Sequence, residues 1–127
     1  MGNGTSIGRV RGLGASHSGA HHWLVQRFTA IGNLIAGVWL IVSLLLLPNL
    51  KYANVHEWAA RPVSGLMLGL LVISAFWHAR LGLQVLIEDY VKSAANKFAV
   101  ITALNLAAFA GAGFGLLSIL RLALGAA

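Results

Sequence analysis

Apolar residues fall into three long runs separated by two polar intervals. The first extends from about Trp23 to Leu47, with Gln26 and Arg27 near its start and Asn33 as the one amide deeper inside it, the second from about Val63 to Ile87, and the third from about Phe98 to Leu120. Each is long enough to cross a hydrocarbon core, which takes about 20 mostly apolar residues in a helix. None has the strict alternation of a barrel strand, and a helix satisfies its backbone polar groups within its own segment. The pattern predicts an all-α membrane protein with three transmembrane helices. Pro48 stops the first run, and 48–61 forms a polar connection carrying Lys51, His56 and Glu57. Pro62 then stands where a new helix accepts it, in the first turn. Glu88-Asp89-Tyr90-Val91-Lys92 makes the second, shorter connection.

Residues 1–22 are rich in Gly, Ser and His, with Arg9 and Arg11, and contain no apolar run suited to a signal-peptide core. They read as a retained cytoplasmic tail ahead of a three-helix transmembrane domain over 23–122. Gly2, Gly4, Gly8, Gly12 and Gly14 make a poor amphipathic helix, so a bacterial inner membrane is expected in preference to a mitochondrial one.

Composition agrees. Hydrophobic residues make up 58% of the 127, and nine Lys and Arg stand against three Asp and Glu. An ordinary soluble domain is about a quarter charged. The net +6 carries no basic stripe interleaved with aromatics, so nucleic acid is not an expected partner and the lipid bilayer is. Without cysteine there is no disulfide or thiolate chemistry, and any metal would fall to histidines or carboxylates. Arg9, Arg11, Arg27, Arg80, Lys92 and Lys97 collect on one side of the spans; Lys51, Arg61 and Arg121 lie on the other. The excess predicts the N terminus inside and the C terminus outside. Ala99, Ala103, Ala107, Gly111 and Gly115, four residues apart, form a ladder of small residues suited to close helix packing.

Polar groups at membrane depth are costly and each asks for a partner. His78 lies eleven residues before Asp89, which at about 1.5 Å and 100° per residue places it roughly 16 Å along the helix and within about 20° of the same face. Ser74 and Gly82, one turn to either side, keep that face narrow enough for a flat ligand. Two readings fit: one interhelical hydrogen bond, or an axial bond to haem iron. No second histidine matches its depth, since His17, His21, His22 and His56 lie at or beyond the span ends. A bis-histidine haem would take its other ligand from another polypeptide. Arg27 and Arg80 suit either snorkelling to lipid phosphate or pairing with haem propionates. Tyr90 beside Asp89 suits either an interfacial anchor or a quinone carbonyl's hydrogen-bond partner.

The segment from His78 to Val91, with a helical His, a Gly four residues on and Asp89-Tyr90 eleven and twelve residues on, resembles the signature of the succinate dehydrogenase hydrophobic membrane anchor, the D subunit of respiratory complex II. The run from His21 to Ile31, containing Arg27-Phe28-Thr29-Ala30, resembles that family's entry into its first helix. With the three-span layout the likeness covers about Ser16 to Arg121. It implies that His78 is this subunit's axial ligand to haem b, shared with the partner anchor. It also implies that Tyr90 and Asp89 take part in ubiquinone binding, and that Arg27 and His21 lie near the haem propionates. It gives His22 and Arg80 no settled part. The implied partners are the flavoprotein subunit, the iron-sulfur subunit and the cytochrome b556-type C anchor subunit, with a trimer of heterotetramers left open. The implied function is to pass electrons from succinate oxidation to the quinone pool, with no catalytic residue of its own. The rivals are the anchor of a fumarate reductase and a small proton-coupled transporter. The latter is disfavoured by interfacial carboxylates and the lack of a paired repeat.

Overall fold

A computed structural model describes residues 19–125. It contains α1 (Gly19–Leu45), α2 (Tyr52–Ala60), α3 (Pro62–Tyr90) and α4 (Ala94–Ala123), with no strand among the described residues. Helices α1, α3 and α4 are each long and apolar enough to cross a membrane. Most of the proposed tail, with His17, lies outside the described residues.

Helix ends outrun the apolar runs. α1 begins at Gly19, so His21 and His22 sit in its first turns, and Glu88, Asp89 and Tyr90 form the last turn of α3 instead of a connection. Hydrophobicity marks the stretch that lipid requires, whereas backbone hydrogen bonding continues until a cap ends it. At α3 that cap is lysine-rich: Lys97 Nζ donates to Glu88 O (3.0 Å) and Lys92 Nζ to Asp89 O (3.3 Å). Cations there satisfy terminal carbonyls and oppose the negative end of the helix dipole. Only 91–93 separate α3 from α4.

The connection 48–61 holds a short helix that its polarity conceals. Trp58 and Ala59 of α2 are buried, and Trp58 stacks on Trp39 of α1 with ring centroids 5.7 Å apart. Amphipathic tethering of this kind stabilises a nine-residue helix that would be marginal alone. Pro62 occupies the start of α3, as its position predicts.

α3 is the central element, and α1 and α4 each pack against it. Small residues set both crossings. A methyl group added to Gly32 of α1 would lie 3.3 Å from Ser74 Oγ, and one added to Gly115 of α4 would lie 2.9 Å from Val72 Cγ1. Gly111 is covered by the ring of Phe76 and Gly69 by Leu116. The upper part of the predicted ladder therefore packs on α3, while Ala99, Ala103 and Ala107 stay exposed. The only buried side chains among the described residues are Ala36, Trp58, Ala59, Ser64 and Leu81. Large apolar side chains face outward along all three spans, the arrangement expected when the solvent is hydrocarbon.

Candidate functional site

His78 is half-buried on α3, twelve residues before Tyr90, so it lies roughly 18 Å from that helix end. Thr29 lies at comparable depth on α1, ten residues from Gly19. Its Oγ1 is 3.2 Å from His78 Nδ1, 2.9 Å from Val25 O and 3.1 Å from Gln26 O. One turn along α3, Ser74 Oγ donates to Thr29 O (3.1 Å). Two adjacent contacts thus join α3 to a single residue of α1, where Gly32 leaves room for the approach. His78 Nε2 has no hydrogen-bond partner among the described residues. Thr29 was visible in the sequence only within a motif; a hydroxyl at matching depth to an intramembrane histidine is the signal that would have singled it out.

Arg80 does not simply extend toward an interface. Its Nε donates to Asn105 Oδ1 on α4, at a similar depth, joining α3 to α4. Asn105 escaped the sequence reading, although an amide inside an apolar run carries the same demand for a partner as His78. Both residues line a largely apolar cavity of about 510 Å³ with Phe76, Trp77 and Phe109. A second cavity of about 480 Å³ lies between α1 and α3, lined by Phe28, Thr29, Gly32, Ser74 and Trp77 among others.

His21 and His22 share a smaller cavity of about 290 Å³ with Trp77, Arg80 and Gln84. His21 and Arg80 thus line one cavity, with no hydrogen bond between them among the described residues. Arg27 goes elsewhere: it is exposed, with its guanidinium carbon 5.4 Å from the centre of the Trp23 ring, a cation–π contact. Asp89 and Tyr90 end α3, both exposed, Tyr90 at 77%. The neighbouring Glu88 carboxylate accepts from Gln84 Nε2 (2.8 Å). Among the described residues the one ion pair, Arg61 with Glu57 at 3.0 Å, is at the opposite end of the spans, so the Asp89 carboxylate is unpaired.

No three His, Asp or Glu side chains among the described residues gather closely enough to form a metal cage. His21 and His22 are near one end of α1 and His56 is on α2, so among the described residues His78 is the single imidazole at its depth. A lone imidazole of this kind could serve as one axial ligand to a macrocycle that brings its own four nitrogens.

Three long spans, outward apolar faces and one imidazole held between helices define an all-helical, multi-pass membrane protein. The chain belongs to the family described as succinate dehydrogenase/fumarate reductase transmembrane subunit, which it matches over residues 1–112. Its curated relatives carry the name succinate dehydrogenase hydrophobic membrane anchor subunit. That of Rickettsia bellii is 37% identical over 101 residues, covering 79% of this chain and 80% of the relative. That of Rickettsia conorii is 36% identical over 86 residues, 67% and 68% of the two chains. That of Coxiella burnetii is 31% identical over 87 residues, 68% and 76%. With its three spans, the chain is a multi-pass protein of the bacterial inner membrane.

Proposed function

We propose that this chain anchors a succinate:quinone oxidoreductase to the membrane, where His78 binds one face of haem b and Tyr90 and Asp89 form an edge of the ubiquinone site. The observation that carries the reading is His78 itself: one half-buried imidazole, deep in a span, with Nε2 unpartnered and no second imidazole at its depth among the described residues. The remaining axial ligand then comes from a C anchor subunit, and electrons arrive from the flavoprotein through the iron-sulfur subunit. When bound, haem b supplies a one-electron centre whose potential depends on ligation and burial.

The residues of this chain act by placement. Helices α1 and α3 hold the imidazole. Tyr90 donates its phenolic hydrogen to a quinone carbonyl, and the unpaired Asp89 carboxylate beside it relays a proton from water. His21 with Arg80 presents cationic and hydrogen-bonding groups to carboxylates such as haem propionates. Arg27, stacked on Trp23, reaches the same region only by leaving that ring. The excess of Lys and Arg near Tyr90 supports a cytoplasmic position for that end, with the N terminus inside.

The test is the reduced-minus-oxidised optical spectrum of the purified complex carrying His78→Ala. Loss or displacement of the low-spin b-type bands is expected. An unaltered spectrum removes His78 as ligand.

A further inference from the structure

We propose that Thr29 is the positioning residue of His78, accepting a hydrogen bond from Nδ1–H and so keeping the lone pair of the imidazole on Nε2. The proposal rests on the haem reading above, which it deepens. It follows from counting protons. Thr29 has one hydroxyl hydrogen, and Val25 O at 2.9 Å and Gln26 O at 3.1 Å can only accept. Threonine in a helix commonly donates back to the preceding turn in this way. The hydroxyl proton is then committed within α1, and the group facing His78 Nδ1 at 3.2 Å is an oxygen lone pair. Nδ1 must carry the hydrogen, and a neutral imidazole has only one. Nε2 is left unprotonated, the form in which imidazole ligates iron.

The frame around this contact restricts the ring further. Ser74 Oγ donates to Thr29 O, fixing the backbone of Thr29 to α3 one turn from His78. Gly32 lets the two helices meet there. Both Thr29 and its anchor are thus held before any ligand arrives. Metal-bound histidines generally donate their other ring nitrogen to such a partner, which orients the ring and raises its basicity.

The experiment uses the intact complex in membranes, with four variants compared by redox-titrated optical spectra and low-temperature electron paramagnetic resonance of the oxidised haem. Thr29→Val keeps shape and removes the acceptor. Its haem is expected to titrate at a higher potential, because a less basic imidazole stabilises ferric iron less, with altered low-spin g-values and about tenfold weaker haem retention. Thr29→Ser keeps the hydroxyl and is expected to restore the wild-type potential and g-values. Ser74→Ala loosens the frame but keeps the acceptor on Nδ1, and is expected to shift both less than Thr29→Val does. Should Thr29→Val fail to assemble, Thr29→Ala takes its place beside Thr29→Ser in the same measurement. A hydroxyl-free variant with wild-type potential and g-values overturns the proposal, as does a Thr29→Ser variant displaced as far as Thr29→Val or a Ser74→Ala variant displaced equally. His78→Ala separates the two levels: wild-type bands in that variant sink the haem reading, whereas their loss together with an unresponsive Thr29 sinks this proposal alone.

Discussion

Arg80 Nε donates a hydrogen bond to Asn105 Oδ1, so the one arginine deep in α3 meets the one amide deep in α4. Inside a bilayer neither group finds water, and each is the other's reason to be tolerated. Interhelical hydrogen bonds of this kind contribute about 0.6 to 2 kcal/mol. Asn105→Leu is expected to destabilise the complex by more than that, because it leaves a half-buried guanidinium at membrane depth without this acceptor. The double variant Arg80→Leu with Asn105→Leu is expected to recover part of the loss. Thermal denaturation of the four forms in detergent gives the coupling, and strict additivity would mean the pair does not interact.

Gly115 and Gly111 predict different costs for the same added methyl. At Gly115 the methyl meets Val72, whose β-branched side chain has one strongly preferred rotamer in a helix and cannot swing aside. Gly115→Ala is expected to cost about 1 to 3 kcal/mol through overpacking. At Gly111 the methyl meets the far edge of the Phe76 ring, which at 37% exposure has room to rotate, so Gly111→Ala is expected to cost less. Gly37→Ala, with nothing within 4 Å, is expected to be neutral or slightly stabilising. Val72→Ala in the Gly115→Ala background is expected to restore stability. An equal loss at Gly115 and Gly37 would refute this account of the crossing.

Tyr90→Phe tests the proposed quinone edge. The side chain is exposed at the end of α3, so its loss of a hydroxyl is expected to change stability by less than about 0.5 kcal/mol. Loss of one hydrogen bond to the substrate is worth about 1 kcal/mol or more, so quinone reduction is expected to slow several-fold to tenfold. Succinate oxidation with an artificial acceptor stays intact. Asp89→Asn is expected to slow the same step without altering the haem spectrum. Steady-state assays with both acceptors check it, and unchanged quinone turnover in both variants would remove these residues from the site.

Trp58→Ala probes the opposite end. Removing this buried indole from Trp39 is expected to cost about 3 to 5 kcal/mol of stability. Because α2 lies far from His78, the b-type bands are expected to keep their positions. Displaced bands would show that the two ends are coupled.

Much of this organisation is legible in order along the chain. Twenty-odd apolar residues must be helical in lipid, so the spans from Trp23, Val63 and Phe98 were readable without any contact being known. His78 was readable because a titratable ring there is rare and costly. α2 was hidden, since 48–61 is polar by composition and its helicity rests on Trp58 meeting Trp39, a contact between distant positions. The ladder on α4 was legible as a motif, but which rungs are covered was not: Gly111 and Gly115 lie against α3 side chains, whereas Ala99, Ala103 and Ala107 stay exposed.

What the sequence determined by itself was the number of spans and the depth of each polar group, because hydrophobic length and helical rise are local and one-dimensional. Which polar group meets which was decided only by tertiary structure. Thr29 faces His78 and Asn105 faces Arg80 because the close approach at Gly32 and Gly115 sets how α1 and α4 lie against α3. A crossing depends on side chains from two helices at once, and no spacing within either one contains it.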